Sequence, residues 1–368
     1  MTTLSVGGVY HVTKHISVFA NYAESFRPPG TTLKLDGSLF AAPASNGRDY
    51  GVRLTLLDGA VVANVIRYEG EEKHNTITAT TFPFNNIIQA NALGDFTVGG
   101  INSRGLQPLP TGFVDSVDTK TEGWELEVTA NLTPQWRLML NAAMPESYQT
   151  NPNKESRAYF ATNATTLRQI ITDAGGTFNG DIATFTAVVP PGQPNEGPGA
   201  VTAWNTIQNT LASITTEPQK RTRLFDVTAN FYTDYAFRER LKGFKLGGGF
   251  NYRGHQVIGY RGADTIRNPA NAAQAIDDPG VGPTDVVETD PYFTGTLTFG
   301  YSRRLFKRYN LTVSLKIDNV FDYDKPLYTT TVLRPAGGEI TSPARVASPN
   351  RYTWLTPRSF MLTNSVKF

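Results

Sequence analysis

The chain has 368 residues, with 34 Lys and Arg against 32 Asp and Glu, so its formal net charge is +2. A charge balance this close to zero argues against a nucleic-acid binder that works through a basic surface. Cysteine is absent, which excludes disulfides, thiolate zinc sites, iron–sulfur clusters and a cysteine nucleophile. No run approaches the ~18 consecutive apolar residues of a membrane-spanning helix. Only a barrel of strands could therefore carry this sequence across a membrane.

Alternation of apolar and polar side chains dominates the sequence and predicts strands. In the N-terminal third it predicts strands over 4–10, 16–22, 50–57 and 61–68, the last two joined by the turn signal Asp58-Gly59. A hairpin with tryptophans at its ends follows, with strands over 124–132 and 136–142. The C-terminal part adds strands over 225–237, 244–252, 293–301, 311–317 and 358–368. The pattern thus predicts eleven strands.

The predicted connections alternate between short turns and long loops. The short turns are 11–14, 58–59, 133–135, 238–243 and 303–309, and the long loops are 23–49, 69–120, 145–222, 256–288 and 322–357. Helical spacing predicts short helices over 163–174 and 204–214 inside one long loop. Soluble domains rarely carry so many long loops. Short turns on one side and long loops on the other are typical of bacterial outer-membrane barrels, where the long loops are extracellular.

Both ends of the chain carry motifs that resemble a known family. Near the N-terminus, Val18-Phe-Ala-Asn-Tyr-Ala-Glu-Ser-Phe-Arg-Pro-Pro29 resembles the "Y-S-E-x-F-R-P-P" run of TonB-dependent outer-membrane receptors. Near the C-terminus, Ile317-Asp-Asn-Val-Phe-Asp322 resembles their "N-L-F-D" element, and Pro357-Arg-Ser-Phe with a final aromatic residue follows it. The two matches together make the chain similar to the C-terminal half of the barrel of these receptors.

The resemblance implies an all-β fold, an antiparallel transmembrane β-barrel in which about eleven strands form the C-terminal half of a 22-stranded barrel. Residues 1–368 would then be one barrel domain. The family's signal peptide, plug domain, TonB-contacting segment and N-terminal strands would lie before it, so we expect TonB to act only through that part. Strand parity agrees, because closing eleven antiparallel strands requires a parallel seam and bacterial single-chain barrels have even strand numbers.

Several side chains have positions that a membrane barrel would use. On the last strand, Phe360, Leu362, Val366 and Phe368 fit the C-terminal signal that the barrel assembly machinery recognises; an ordinary edge strand is the alternative. Aromatic residues near strand ends suit a membrane girdle, although cross-strand packing in a soluble sheet would also favour them. They are Tyr10, Tyr22, Trp124, Trp136, Tyr235 and Tyr252. The polar residues expected to face the lumen are Thr312, Ser314, Lys316, Thr363, Ser365 and Lys367.

The sequence offers little sign of catalysis or metal binding. His11 and His15 flank a turn without a third ligand nearby, and loop acids such as Asp277 and Asp278 lack the spacing of a calcium cage. Nucleophile-elbow, zincin and dinucleotide-binding motifs are absent from the sequence. We therefore predict no enzyme, no metal and no cofactor. The loops over 148–159 and 323–352 contain Tyr, Arg and Asn suited to polar ligands, but the sequence singles out no binding residue.

These observations predict a fragment of a TonB-dependent transporter in the Gram-negative outer membrane. The resemblance implies uptake of a scarce extracellular small molecule, such as a ferric siderophore, cobalamin or a glycan, with membrane lipid and the assembly machinery as partners and no nucleic acid. Two alternatives remain at this point. One is a passive porin-like channel, and the other is a soluble all-β carbohydrate-binding or hydrolytic protein. In the second, Phe360, Leu362, Val366 and Phe368 would pack into a core.

Overall fold

The computed structural model describes residues 2–28, 31, 33–78, 82–95, 102–110, 113–214, 218–305 and 308–367. Its main feature is a sheet with a single path of eleven antiparallel strands, which we call the wall. Each wall strand pairs with the wall strands that precede and follow it along the chain. The eleven strands predicted from the alternating pattern are confirmed. No helix among the described residues is long and apolar enough to span a membrane.

Five of the first six wall strands are longer than the sequence pattern predicts, while β1 has the predicted length. Strands β2, β3, β4, β5 and β6 extend well into the predicted loops 23–49, 69–120 and 145–222, whose boundaries were wrong. A short helix, α1, lies between β4 and β5. The bounds are β1 (Ser5–His11), β2 (Ile16–Phe26), β3 (Ala44–Leu56), β4 (Val61–Thr78), α1 (Phe84–Ile88), β5 (Val114–Thr133) and β6 (Trp136–Thr150).

Ion pairs between neighbouring strands accompany these extensions. Arg48 donates to the Glu69 carboxylate at 2.7 Å, and Arg67 donates to Glu122 at 2.7 Å, so charges link β3 to β4 and β4 to β5. The Arg67 guanidinium also lies 5.7 Å from the ring centre of Trp124. Opposite charges across a strand pair stabilise pairing as apolar pairs do. The extensions were missed because the apolar alternation stops before the ladder does.

The connection between β6 and the next wall strand contains both long helices. Its elements are α2 (Lys154–Asp173), β7 (Gly176–Asn179), β8 (Ile182–Phe185), α3 (Gly197–Ser213) and β9 (Gln219–Lys220). Strands β7 and β8 form a hairpin, and β9 pairs with β6. The predicted helices 163–174 and 204–214 are confirmed, although both begin earlier than predicted.

The main cluster of buried apolar side chains among the described residues lies in the connections and not in the wall. It is formed by α1, α2, α3, the β7–β8 hairpin and residues 82–95 and 102–110, which we call the cap, together with Leu35 from the connection between β2 and β3. Trp204 is 1% exposed and packs against Phe160 and Phe178, with ring centres 5.3 Å apart in each pair. The cap is therefore held together by ordinary burial of apolar side chains.

A buried carboxylate joins the cap to the wall. Asp115, on β5, is fully buried and accepts hydrogen bonds from the backbone N–H groups of Glu155 at 2.8 Å and Ser156 at 3.0 Å. These N–H groups belong to the first turn of α2, where the helix itself provides no acceptor. A negative charge near the N-terminus of a helix also interacts favourably with the helix dipole. Helix α2 can therefore begin at Lys154, nine residues before the predicted start, because β5 supplies its cap.

The second half of the chain completes the wall and adds three hairpins above it. The predicted loops 256–288 and 322–357 contain these hairpins, in which β12 pairs with β15, β13 with β14 and β18 with β19. The bounds are β10 (Thr228–Ala236), β11 (Phe244–Arg253), β12 (Val257–Tyr260), β13 (Thr265–Asn268), β14 (Asn271–Asp277), β15 (Val286–Glu288), β16 (Tyr292–Leu305), β17 (Tyr309–Asp318), β18 (Leu327–Pro335), β19 (Arg345–Thr353) and β20 (Ser359–Lys367).

The two faces of the wall differ in chemistry. On the apolar face, Leu315 is paired with Leu362 and Ile317 with Phe360, and these two β20 side chains are 64% and 67% exposed. The predicted girdle residues lie on this face, where Trp136 and Tyr235 are direct cross-strand partners. The polar face carries the predicted lumen residues. They are Thr312, Ser314, Lys316, Thr363, Ser365 and Lys367.

Aromatic rings on the polar face lie over glycines of the neighbouring strand. A Cβ at Gly51 would lie 2.8 Å from the ring of its cross-strand partner Phe19, and a Cβ at Gly123 would lie 2.5 Å from the hydroxyl of its partner Tyr68. Only glycine leaves room for a ring to lie against the sheet in this way. The polar face is consequently flatter than its aromatic content suggests.

Candidate functional site

An aromatic cavity of about 380 Å³ lies where the wall meets the hairpins of the second half. It is bounded by the residues that precede β10 and β16, by the segment after β17 and by the β18–β19 hairpin. Tyr292 and Arg253 are cross-strand partners on the polar face, so this cavity opens at the loop end of that face. Its main side chains are Phe225, Asp290, Tyr292, Tyr323, Lys325 and Tyr328.

Three of these rings form one side of the cavity. The ring centres of Phe225 and Tyr292 are 6.1 Å apart in an edge-to-face contact, and those of Tyr292 and Tyr323 are 5.3 Å apart. Across the cavity, Tyr328 packs edge-to-face on Tyr352 at 5.9 Å. Aromatic pairs of this geometry are rigid and expose ring faces and hydroxyls. The cavity can therefore bind a compact ligand that has both apolar and polar groups.

The C-terminal motif holds Tyr323 in its position among these aromatic rings. The Asn319 side chain is buried; its Oδ1 accepts the N–H of Tyr323 at 3.0 Å and its Nδ2 donates to the Tyr323 carbonyl at 3.1 Å and the Thr356 carbonyl at 3.2 Å. Asp322 accepts the N–H of Arg358 at 3.0 Å. We call this set of contacts the clamp. The two C-terminal stretches that resemble the receptor family are thus in direct contact.

Two residues of the clamp adopt a backbone conformation that suits Asn and Asp. Asn319 has φ = 49° and Asp322 has φ = 54°, in the left-handed region that these side chains tolerate best among residues with a Cβ. Between them, Phe321 turns to the apolar face and packs on Phe293 with ring centres 4.9 Å apart. A Cβ at Gly295 would lie 2.6 Å from the Phe321 ring, so glycine is required there. The motif is therefore a structural device that ties β17 to β20.

The cavity is electrostatically mixed. Asp290 and Lys325 are both exposed and both line it, and neither forms an ion pair within the described part of the chain. Burial raises the pKa of the Tyr323 phenol, and the nearby Asp290 carboxylate raises it further. The phenol is therefore protonated at neutral pH and can donate a hydrogen bond. Arg253, behind Tyr292, is already engaged with Asn230 and with the Tyr252 carbonyl.

A larger hollow, of about 500 Å³, lies on the apolar face and has a different lining. Gly248 and Gly295 form its floor, and Phe231, Phe250 and Leu297 are among the residues that line its sides. Two of its polar groups are bonded to each other: the Trp136 indole N–H donates to the Thr233 hydroxyl at 3.0 Å. Such a lining suits hydrocarbon and not a polar ligand.

The structure separates the two loops in which the sequence suggested ligand contacts. The loop over 323–352 contributes Tyr323 and Tyr328 to the cavity. The loop over 148–159 does not, because Tyr148 donates to Glu146 and Tyr159 packs on Phe84 inside the cap. The sequence analysis missed Phe225 and Tyr292. Phe225 lies just before β10 and Tyr292 is the first residue of β16. An aromatic residue at the loop end of a strand was therefore the available signal, but the alternating stripe assigned Phe225 to the strand itself.

The histidines flanking the first turn have other partners. His11 bonds to the Ser17 hydroxyl at 2.8 Å and His15 to the Thr55 carbonyl at 2.9 Å. Among the described residues, no group of three or more His, Asp or Glu side chains is close enough to hold a metal ion. Of the predicted assembly signal, Phe360, Leu362 and Val366 share the apolar face of β20, while Phe368 lies outside the described residues.

No family model matches the sequence. Among curated proteins, the metal-pseudopaline receptor CntO of two Pseudomonas aeruginosa strains is 25% identical over 138 residues, which are 37% of this chain and 15% of CntO. Among solved structures, the ferripyoverdine receptor of the P. aeruginosa outer membrane, bound to ferripyoverdine, matches with a TM-score of 0.55 at 16% identity, over 98% of this chain and 32% of the receptor. FpvAI in complex with pyocin S2 matches with the same values.

These similarities establish the fold. The chain has the barrel fold of TonB-dependent outer-membrane receptors, and it spans about a third of the length of the solved receptors. The all-β antiparallel fold predicted from the end motifs is confirmed and agrees with the predicted location in the outer membrane, whereas the total of 22 strands stays a prediction. The names of the curated protein and of the ferripyoverdine-bound structure describe receptors, in line with the prediction that this chain is not an enzyme.

Proposed function

We propose that this chain is part of the barrel of a TonB-dependent receptor that takes up a metal chelate, a ferric siderophore, across the Gram-negative outer membrane. The observation that carries the proposal is the aromatic cavity of Phe225, Tyr292, Tyr323 and Tyr328, at the loop end of the polar face of a receptor-type wall. The names of the matched proteins support this reading, because they describe a receptor bound to ferripyoverdine and a metal-pseudopaline receptor.

The apolar face of the wall would contact membrane lipid. On β11, for example, the alternate positions from Phe244 to Tyr252 point to this face, and eight steps of about 3.4 Å give roughly 27 Å along the strand. With a strand tilt of about 40°, this becomes a band roughly 20 Å tall, comparable to the ~25 Å apolar band of outer-membrane barrels. The polar face would then enclose the lumen.

The remaining parts of the receptor belong to the same proposal. Strands β1 and β20 each have one neighbour in the described wall, and an unpaired strand edge in lipid costs several kcal/mol per backbone group. Further strands, to a total of 22, would pair with these edges, and a plug with a TonB-contacting segment would supply the coupling. Phe360, Leu362, Val366 and Phe368 would form the signal for the barrel assembly machinery.

The proposal is tested by uptake of radioactive ferric chelates into cells that express the protein from its own gene, with and without functional TonB. We expect TonB-dependent uptake of at least one chelate. Tyr323→Ala and Tyr292→Ala should each reduce its binding about tenfold or more, since a well-packed aromatic anchor contributes at least 1.4 kcal/mol. Tyr148→Ala, outside the cavity, is the matched control. Uptake that does not require TonB would instead indicate a passive channel.

A further inference from the structure

The charges around the aromatic cavity restrict the ligand further. Asp290 and Lys325 both line the cavity but are not within ion-pair distance of each other, and neither is paired with another charged residue of the described chain. The cavity lining therefore offers one separate carboxylate and one separate ammonium group. Asp324, next to Lys325 in sequence, adds to the negative potential that Tyr323 experiences.

We propose that this cavity selects a zwitterionic chelate, a metal complex whose surface carries both a cationic and an anionic group. This inference rests on the proposed function. A cationic group placed near Asp290 would also meet the ring faces of Tyr292 and Tyr323, which attract cations through their quadrupoles. An anionic group of the same ligand would reach Lys325. With both interactions formed, Asp290 and Lys325 each have an oppositely charged partner on the ligand.

Chelates of other charge types fit this lining less well. A neutral chelate would displace the water that hydrates Asp290 and Lys325 without replacing its hydrogen bonds. This desolvation costs free energy for each charged group. A polyanionic chelate would gain from Lys325 but would be repelled by Asp290. Arg253 does not line the cavity; its guanidinium lies behind Tyr292, where it donates to Asn230 and to the Tyr252 carbonyl.

The test compares three ferric chelates by equilibrium binding to outer membranes that contain the protein. The probes are ferrichrome, which is neutral, ferric enterobactin, which is trianionic, and a ferric linear peptide trihydroxamate with free amino and carboxyl ends. We expect the peptide chelate to bind at least tenfold more tightly than the other two. Asp290→Asn and Lys325→Gln should each weaken its binding about tenfold, which corresponds to one charged hydrogen bond.

Two further sets of variants separate specific recognition from a structural effect. Exchanging the charges, with Asp290→Lys and Lys325→Asp together, keeps the net charge and should recover part of the affinity that either single change to a neutral side chain removes. Asp277→Asn and Lys242→Gln, at exposed positions outside the cavity, are the matched controls and should leave binding unchanged.

The outcomes distinguish this inference from the proposed function. If ferrichrome or ferric enterobactin binds as tightly as the peptide chelate, or if Asp290→Asn and Lys325→Gln leave binding unchanged while Tyr323→Ala abolishes it, the charge selection is wrong and the receptor function stands. If none of the three chelates binds and the uptake assay finds no TonB-dependent uptake of any ferric chelate, the proposed function and this inference both fail.

Discussion

The wall and the cap place apolar side chains in opposite environments. In the cap, Trp204 and Ile170 are buried to 1% exposure or less, whereas in the wall Phe360 and Leu362 remain about two-thirds exposed. The cap therefore resembles a small domain that is stabilised in water by burying its apolar side chains. The wall leaves its apolar face uncovered, which in water would be a large patch prone to association. One chain thus contains two regions built for two solvents.

Removing a side chain from the core of the cap should give the largest loss of stability, and the loss should be confined to the cap. Trp204→Ala is expected to destabilise the cap by about 3–5 kcal/mol, because it deletes a fully buried aromatic ring. Hydrogen exchange should show faster exchange in α2 and α3 while the wall amides stay protected. Trp354→Ala, at a 58% exposed position, is the control. Simultaneous loss of protection in the wall would show that the two regions do not behave separately.

A charge placed on the apolar face of the wall tests whether this face contacts lipid. Leu315→Lys lies between Phe299 and Leu362 on that face and should cost about 2–4 kcal/mol in a lipid bilayer. Ser314→Lys, the neighbouring position on the polar face, should cost little. Urea unfolding in lipid vesicles measures both variants. If the two substitutions cost the same, the assignment of the faces is wrong.

The joint between the regions depends on one carboxylate. Asp115→Ala leaves the first turn of α2 without its acceptor and should destabilise the cap by about 2 kcal/mol, the upper range for loss of a helix cap. Asp115→Asn keeps a side-chain oxygen and should cost less. Protease susceptibility of the segment before α2 reports the effect. Equal stability of the wild type and Asp115→Ala would contradict this role of Asp115.

Acid should weaken the cap through Asp173, near the end of α2. Hydrogen bonds from Arg104 lower the pKa of Asp173 from 3.8 to about 2, with Gln169 and Asn102 also donating. A lowered pKa in the folded state gives stability that is complete above the unfolded value and is lost as the pH falls from about 4 to about 2. The loss should be about 1 kcal/mol, because Arg104 is partly solvated. In Arg104→Gln, thermal melts should lose most of this pH dependence.

The sequence predicts the wall better than the site for a physical reason. A strand with one apolar face shows a period of two in its own residues, so all eleven strands could be found from local pattern. The cavity instead joins Phe225, Tyr292 and Tyr328, which are more than thirty residues apart and meet only through strand pairing and the hairpin above. The cap was recognised only as two helices, because its burial depends on contacts with α1 and with Asp115 that no local pattern contains.

The clamp has a consequence for how this surface can change during evolution. Because Asn319 is bonded to Thr356, the ends of the intervening segment are held together at its base, independently of what lies above. Lengthening a loop whose ends are fixed costs little entropy, about 0.6 kcal/mol for each doubling of its length. Insertions and exchanges in the β18–β19 hairpin should therefore be tolerated without disturbing the pairing of β17 with β20. New recognition surfaces could arise there by exchange of whole segments, while the same supporting strands are retained.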